Sequence, residues 1–370
     1  MTPAGQFEIF LQTVPGLEQG LLAEVRLKGF RQPSAVPGGV VLTGGWPDVW
    51  RANLWLRGAD RVLARFDTFR AEHLNDLQAR ARRVNWAALL RPDVAFRVEA
   101  TSARSRIYHE GAAAERIENA IRASLGVEPS PEADVLIRAR LENDVCTLSV
   151  DTSGEPLHKR GFKQAVSAAP LRETLASLFL FQCGFAGAEP VVDPMCGSGT
   201  FVIEAAEIAL GLNPGRGRSF AFEQLATFDA EAWAKLRGVN RNRAPTARFF
   251  GADRDAGAIA SATANAERAS VSEFVDFRQG SISELARPEG PPGLVVINPP
   301  YGSRLGDKDE LKPLYRALGR TLKERFAGWR VGLVTSEPAL AHATALPFLP
   351  NDAPIPHGGL RVTLYRTAPL

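Results

Sequence analysis

The sequence has few residues of the kinds that build metal sites. Its 370 residues include 3 Cys and 5 His. Cys146, Cys183 and Cys196 form no C-x-x-C pair and have no histidine at ligand spacing. Structural zinc and iron–sulfur sites need such spacing, so we predict no metal site. The scattered cysteines also fit a reducing compartment.

Long apolar runs and a leader pattern are also missing. The uncharged apolar run 174–188 is shorter than the stretch that spans a bilayer. No basic residue precedes Arg26, so the start of the chain lacks the charged region of a signal peptide. We therefore expect a cytoplasmic protein without a membrane partner.

Neither charge sign is in large excess. Lys and Arg total 44 against 41 for Asp and Glu, a formal net charge of +3, and the two halves of the chain are similarly balanced. Apolar residues make up 45% of the chain and charged residues 23%, which is ordinary globular composition and excludes extended disorder. A nucleic acid would have to be held by local clusters of arginine and lysine.

Hydrophobic periodicity divides the chain near Asp151. Before that point, short strands and amphipathic helices alternate as in small α+β domains. The predicted strands are 7–13, 40–42, 61–66, 95–100, 135–139 and 146–150, and the predicted helices are 17–29, 47–56, 74–83 and 112–125.

After Asp151 the pattern changes to repeated β–turn–α units, which predict a doubly wound parallel sheet. The predicted strands are 191–192, 249–250, 275–277, 294–297, 331–334 and 361–365, and the predicted helices are 200–210 and 258–266. In such sheets ligands bind at the carboxyl ends of the strands. We expect the active site there.

A glycine turn, D-P-M-C-G-S-G-T, follows the first of these strands. Glycines let the backbone approach a ligand closely at the start of a helix. Val202 replaces the third glycine of the dinucleotide fingerprint, which disfavours a nicotinamide oxidoreductase. The Asp193 carboxylate would repel a pyrophosphate but suits a cationic amino group, so the turn favours a cofactor that carries an amino acid.

Asp253 lies 60 residues after Asp193, at the end of the next strand, where a carboxylate can accept both hydroxyls of a ribose. The alternative is a helix N-cap before Ala256. The long spacing predicts an insertion over 213–248. We expect its aromatic residues to pack on the parallel-sheet domain; these are Phe220, Phe222, Phe228 and Trp233.

The run N-P-P-Y at Asn298–Tyr301 follows the apolar strand 294–297. Two successive prolines make the strand end rigid and remove two N–H donors. The Asn298 side-chain oxygen and a backbone carbonyl then remain as acceptors for an exocyclic amine of a base, and Tyr301 offers a stacking face. The alternative is an ordinary turn with an asparagine cap.

Together these motifs resemble class I S-adenosylmethionine-dependent methyltransferases that carry an N-terminal THUMP domain and methylate N2 of guanine in structured RNA. The matching runs are S-R-I-Y-H-E-G at 105–111, R-G-F-K-Q-A-V-S-A-A-P-L-R-E-T-L-A at 160–176 and N-P-P-Y-G-S-R-L-G at 298–306, with Leu314-Tyr315 and Gly328-Trp329. They look most like the branch that acts on bacterial large-subunit rRNA. A related branch acts on tRNA.

The resemblance implies an α/β chain with a Rossmann-like methyltransferase sheet after two small α+β domains. It implies a ferredoxin-like domain at 1–68, a THUMP domain at 69–157 and a methyltransferase domain at 158–370. The implied S-adenosylmethionine contacts are Asp193, Pro194, Gly197, Gly199, Thr200, Asp253, Ser281 and Asn298, with Ser281 standing where the family has an acid near the adenine. The implied catalytic residues at the target base are Asn298, Pro299, Pro300 and Tyr301.

Structured RNA is the expected partner of a monomeric enzyme, with rRNA favoured over tRNA. Clustered basic residues are the candidates for phosphate contacts. They are Arg80, Arg82, Arg83, Arg104, Arg106, Arg160 and Lys163. The motifs leave two alternatives: an adenine-N6 methyltransferase of DNA or RNA, because N-P-P-Y serves any exocyclic amine, and an RNA-binding protein without activity.

Overall fold

The computed structural model describes residues 5–164, 171–239, 243–301 and 308–370, with backbone alone for 308–310. The chain divides into two compact units. The N-terminal unit contains Met1–Thr13, Leu21–Leu157 and Arg218–Asn240. The C-terminal unit contains Val14–Gly20, His158–Gly217 and Arg241–Leu370. None of the helices in these ranges is long and apolar enough to cross a membrane.

Strands and helices alternate along most of the chain. The strands are β1 Phe7–Gln12, β2 Ser34–Val36, β3 Gly39–Gly44, β4 Arg61–Arg70, β5 Phe96–Ala103, β6 Val135–Glu142, β7 Val145–Asp151, β8 Val191–Asp193, β9 Phe249–Asp253, β10 Val275–Gln279, β11 Leu294–Ile297, β12 Arg330–Thr335, β13 Ile355–His357 and β14 Leu360–Arg366. The helices are α1 Glu18–Leu27, α2 Trp46–Trp55, α3 Leu74–Ala81, α4 Glu110–Leu125, α5 Glu173–Gln182, α6 Thr200–Leu210, α7 Ala230–Gly238, α8 Ala256–Arg268, α9 Lys308–Arg325 and α10 Pro338–Ala343.

One continuous sheet joins the two α+β segments of the N-terminal unit. Its strand order is β2-β3-β1-β4-β7-β6-β5. The β4–β7 pair connects the segments, with Leu63 opposite Asp151 and Arg70 opposite Val145. Only β5 and β6 run parallel among these pairs. The alternation of buried and exposed residues along β6 shows that one face of the sheet carries the core.

The C-terminal unit contains the predicted doubly wound sheet, with strand order β10-β9-β8-β11-β12-β14-β13. Strands β10, β9, β8, β11 and β12 are parallel, and β14 pairs antiparallel with β12. All residues of β8 and β11 are buried, as expected of central strands covered on both faces. This order places the ends of β8, β9 and β11 next to one another.

A large apolar cluster covers β11 and β12. Tyr315, Phe326 and Trp329 are fully buried in it. Helix α9 contributes Leu318 and Leu322 to the cluster beside the strand residues. Pro313 lies within the first turns of this helix. The packing holds the end of β11, and therefore the N-P-P-Y run, on a rigid base.

The insertion between α6 and β9 exists as predicted, but its predicted packing is wrong. Its aromatic residues belong to the N-terminal unit. The Phe222 ring lies 6.2 Å from Trp50 of α2 and 5.0 Å from Trp233, and Phe228 lies 6.2 Å from Trp50. Hydrophobicity predicts that these rings are buried, but it does not say against which sheet.

Candidate active site

The glycine turn after β8 adopts backbone conformations that glycine favours. Gly197 has φ +51° and Gly199, the N-cap of α6, has φ +83°. A Cβ on Gly199 would lie 3.0 Å from the Phe277 ring, whereas a Cβ on Gly197 would meet no atom within 4 Å. Gly199 is therefore required by packing, and Gly197 faces open space that a ligand could fill.

Asp193 ends β8 and is buried at the base of this turn. One carboxylate oxygen accepts the Met195 N–H at 3.1 Å. Burial raises the pKa of Asp193 to about 8, and the nearby Asp253 adds to the rise. A cationic amino group at this position would favour the ionised carboxylate.

Asp253 joins the first two strand ends. Its carboxylate accepts the Gly197 N–H at 3.0 Å and the Asp255 N–H at 3.0 Å. The cap of α8 is Asp255, which accepts the Gly257 N–H at 2.8 Å, so the N-cap alternative for Asp253 is wrong. Its oxygens still have lone pairs to accept ribose hydroxyls.

Ser281 lies beside a carboxylate that the sequence analysis missed. The Ser281 N–H and hydroxyl both donate to Glu284, at 2.9 and 2.7 Å. These hydrogen bonds lower the pKa of Glu284. Both residues line a cavity of about 720 Å³ together with Phe250 and Ala252 of β9. An acid thus lies three residues after the position where the family pattern places one.

The N-P-P-Y run carries an unsatisfied acceptor. Asn298 Oδ1 is buried and has no hydrogen-bond partner among the described residues. Tyr315 of α9 donates to the Pro300 carbonyl at 3.1 Å, and its hydroxyl lies 3.5 Å from Thr335 at the end of β12. Burial raises the pKa of Tyr301 to about 12, so this residue stays neutral at physiological pH. A buried acceptor without a donor is costly unless a ligand supplies one.

These strand ends fit an adenosyl cofactor that carries an amino acid. The Asp193 carboxylate suits an ammonium, and the Asp253 carboxylate suits a ribose. Gly197, whose N–H donates to Asp253, faces open space that the ligand could fill. The first amides of α6 lack partners inside the helix and suit a carboxylate. When bound, the cofactor would supply a methyl group on a sulfonium, which is already an activated electrophile.

Two basic residues predicted to contact RNA have little exposed side-chain surface: Arg160 is buried, and the side chain of the partly buried Lys163 is 9% exposed. The Arg160 guanidinium lies 3.3 Å from the Glu204 carboxylate, with both side chains buried. Lys163 donates to Thr200 Oγ1 at 2.9 Å and lies 3.3 Å from Glu173. Because buried charges with partners are not available for phosphates, the prediction is wrong for these two residues.

The other predicted RNA contacts are exposed on the N-terminal unit. Arg104 pairs with Glu142, and Arg106 pairs with Glu72. The remaining three follow or end α3 and make no ion pair within the described part of the chain; they are Arg80, Arg82 and Arg83. Their guanidinium groups are therefore available to an acidic partner outside the described residues. Parts of two motifs lie outside the described residues, namely 165–170 and 302–306.

Three family models match the chain in the predicted order. The model of the RMKL-like methyltransferase domain matches residues 160–347, which is more than half of the chain. The model of the RlmL ferredoxin-like domain matches residues 8–63, and the THUMP model matches residues 71–151. The predicted fold class is therefore confirmed, while the predicted boundaries of 1–68, 69–157 and 158–370 stay a prediction.

Solved structures of similar proteins cover nearly the whole chain. A possible methylase from Clostridium difficile 630 is 29% identical, with a TM-score of 0.90 over 99% of this chain and 98% of its own. A predicted N6-adenine-specific DNA methylase from Listeria monocytogenes is 29% identical, with a TM-score of 0.89 over 99% and 97%. A methyltransferase named SMU.472, solved with SAH, is 25% identical, with a TM-score of 0.88 over 100% and 99%.

The matches and the strand-end geometry agree on one cofactor and one chemistry. S-adenosylmethionine is the cofactor, as predicted from the glycine turn and the resemblance. The nicotinamide alternative is wrong. The chain belongs to the RMKL-like methyltransferase family and is a class I S-adenosylmethionine-dependent RNA methyltransferase with a THUMP domain.

Proposed function

We propose that this protein transfers a methyl group from S-adenosylmethionine to the exocyclic N2 of a guanine in large-subunit rRNA. The observation that carries the proposal is Asn298 Oδ1, which is buried and has no hydrogen-bond partner in the described part of the chain. An exocyclic NH₂ is the donor that this acceptor lacks. The rigid Pro299 and Pro300 keep the acceptor at the end of β11, beside the cofactor turn at the end of β8.

The residues act mainly by placing the reacting nitrogen. Asn298 would accept one N–H of the amine and hold the nitrogen toward the methyl donor, while Tyr301 would stack on the base. A base in a structured RNA reaches such a recess when it is flipped out of its stack. The sulfonium is the activated partner, so the proton can leave the nitrogen after transfer and no strong base is needed at Asn298.

Support for guanine and rRNA comes from the whole pattern of the chain. The N-P-P-Y-G-S-R-L-G run and the THUMP-type run at 105–111 resemble the rRNA guanine-N2 branch. The RlmL-type ferredoxin-like match at residues 8–63 agrees with that branch. An adenine-N6 activity is the second candidate, because the Listeria monocytogenes relative is described in those terms. An Asn298 acceptor suits both amines.

The test is the identity of the methylated nucleoside. rRNA and tRNA from a strain lacking the gene are incubated with the protein and S-adenosylmethionine, digested to nucleosides and separated with mass detection. We expect N2-methylguanosine in large-subunit rRNA. The matched control is rRNA from the parent strain, which should accept no further methyl. N6-methyladenosine as the product, or methylation confined to tRNA, would contradict the proposal.

We further propose that Arg80, Arg82 and Arg83 contact RNA phosphates. Their exposure and lack of ion pairs leave three positive charges on one short stretch of the N-terminal unit. Each lost phosphate contact lowers the slope of log affinity against log salt by about 0.7 to 0.9. Replacing all three with glutamine should therefore reduce the slope by about 2 to 3.

The control for this experiment removes the same charge elsewhere on the same unit. Arg91, Arg122 and Arg140 are exposed, but each pairs with a nearby carboxylate. Their triple glutamine variant should keep nearly the wild-type slope in filter-binding assays over a salt series. Equal slopes for the two triple variants would remove the proposed RNA contact.

A further inference from the structure

Lys163 is a partly buried residue of the cofactor region, and the proposed function does not use its contacts. Its side chain is 9% exposed. An ammonium has three N–H donors and no acceptor. Lys163 donates to the Leu171 carbonyl at 2.8 Å and to Thr200 Oγ1 at 2.9 Å, and its Nζ lies 3.3 Å from the Glu173 carboxylate. The ammonium is therefore held by three groups of the C-terminal unit.

The lysine decides how the Thr200 hydroxyl is used. A hydroxyl has one proton to donate, and its oxygen can accept. Because Lys163 can only donate, Thr200 Oγ1 must accept in this pair, which leaves the Thr200 proton for another group. Thr200 Oγ1 makes no other hydrogen bond within the described residues. The hydroxyl is thus held as a donor.

The position of Thr200 indicates what that donor serves. Thr200 is the first residue of α6 and directly follows the glycine turn. The first amides of a helix favour an anion, and the hydroxyl adds a donor at the same place. Asp193, the residue at which the same turn begins, suits the cationic group of the same ligand. The one part of the cofactor that is anionic is its α-carboxylate.

We propose that Lys163 is a positioning residue that makes Thr200 a dedicated hydrogen-bond donor to the α-carboxylate of S-adenosylmethionine. This inference rests on the proposed cofactor site at the glycine turn. Glu173 holds the lysine in place: its own side chain is 4% exposed, and its charge compensates the buried ammonium. Lys163 thereby selects for the carboxylate without touching the cofactor.

The experiment compares two ligands that differ in the carboxylate alone. S-adenosylhomocysteine and its decarboxylated analogue are titrated calorimetrically into the full-length wild-type protein and the variants Lys163→Met, Thr200→Val and the double variant. We expect Thr200→Val to bind S-adenosylhomocysteine about ten- to a hundredfold more weakly, the loss of one hydrogen bond to a charged group. Lys163→Met should lose a smaller part of the same affinity, because the hydroxyl remains but is no longer oriented. Affinity for the decarboxylated analogue should stay within about twofold, because that ligand lacks the contact.

The design distinguishes positioning from general damage. The double variant should lose no more affinity than Thr200→Val alone, because Lys163 acts only through the Thr200 hydroxyl. Lys163→Arg keeps a donor and should restore part of the lost affinity. Thr200→Val nearly conserves volume, so it tests the proposal even where Lys163→Met unfolds. Equal losses for both ligands, or no loss for S-adenosylhomocysteine, would overturn the proposal. Failure of the wild-type protein to bind S-adenosylhomocysteine would instead contradict the cofactor site itself.

Discussion

The loops after β8 and β11 lie at the same edge of one sheet but differ in how their polar groups are satisfied. In the glycine turn, Asp193 and Thr200 have partners within the chain, and the Gly197 N–H donates to Asp253 at the end of β9. In the N-P-P-Y run, the Asn298 acceptor has none among the described residues. The polar groups of the first loop are already held by hydrogen bonds within the protein. The second loop has a buried acceptor, Asn298 Oδ1, that is available to a ligand.

Under the proposed function, this difference follows the chemistry of the two ligands, the cofactor and the target base. A cofactor with charged groups needs donors and acceptors at fixed positions, and internal hydrogen bonds hold them there. The base amine needs one acceptor that stays unsatisfied until the substrate enters. An unsatisfied buried acceptor costs about 1–3 kcal/mol. The chain tolerates that cost because two prolines and the Tyr315 contact to Pro300 keep the loop from collapsing onto it.

The largest expected effect is on turnover, after loss of the Asn298 Oδ1 acceptor. Asn298→Ala should lower kcat by about a hundredfold or more, because the amine is no longer aligned with the methyl donor. The dissociation constant for S-adenosylmethionine should change by no more than about twofold, since a single neutral contact is removed. Steady-state kinetics on rRNA from the deletion strain and calorimetry measure the two quantities.

A conservative variant sharpens this prediction. Asn298→Asp keeps an oxygen acceptor of nearly the same shape, so it should retain more turnover than Asn298→Ala. Turnover by Asn298→Ala at the wild-type rate would contradict the role of the acceptor. A large loss of cofactor affinity in both variants would show that the two loops are not separate in function.

A smaller effect is expected from the pH at which the cofactor binds. Burial raises the pKa of Asp193 to about 8 in the free protein, far above the ordinary value for aspartate. Below that pH the free carboxyl holds a proton, and a cationic amino group favours its release. Affinity should therefore fall about tenfold for each pH unit below 8, and binding should release a proton there.

Calorimetry in two buffers of different ionisation enthalpy measures the released proton directly. The control is Asp193→Asn, which has no carboxyl to titrate and should bind weakly, with little dependence on pH between 6 and 8. Wild-type affinity that is flat over the same range would show that Asp193 does not face the amino group. The glycine turn would then need another partner for the cation.

Regular periodicity explains which elements the sequence predicts. Strand 294–297 and helix 200–210 occur with the predicted bounds. A short apolar run after a turn indicates a buried strand, and a helical pattern that starts after a glycine turn indicates a helix. Helix α5 was not predicted, since eight of its ten residues are buried and no polar face marks its period. Strand β13 and helix α10 are too short for a hydrophobic periodicity to predict them.

The candidate site divides in the same way. The strand-end residues Asp193, Asp253 and Asn298 stand out in the sequence because each follows an apolar strand. Glu284 and Tyr315 give no such signal, since one lies in a loop and the other in a helix. Their positions become visible when the chain places them against Ser281 and Pro300.

The sequence alone determined much of the element order, the doubly wound sheet, the glycine turn and the N-P-P-Y run at a strand end, because local patterns and strand ends encode these features. Tertiary structure alone decided three other features. It placed the aromatic insertion in the N-terminal unit, gave Arg160 and Lys163 acidic partners within the C-terminal unit, and left Asn298 Oδ1 without a donor among the described residues. From the type of a side chain one can predict that it will be buried or paired. Its partner cannot be predicted in the same way, because residues distant in sequence supply the partner only in the folded chain.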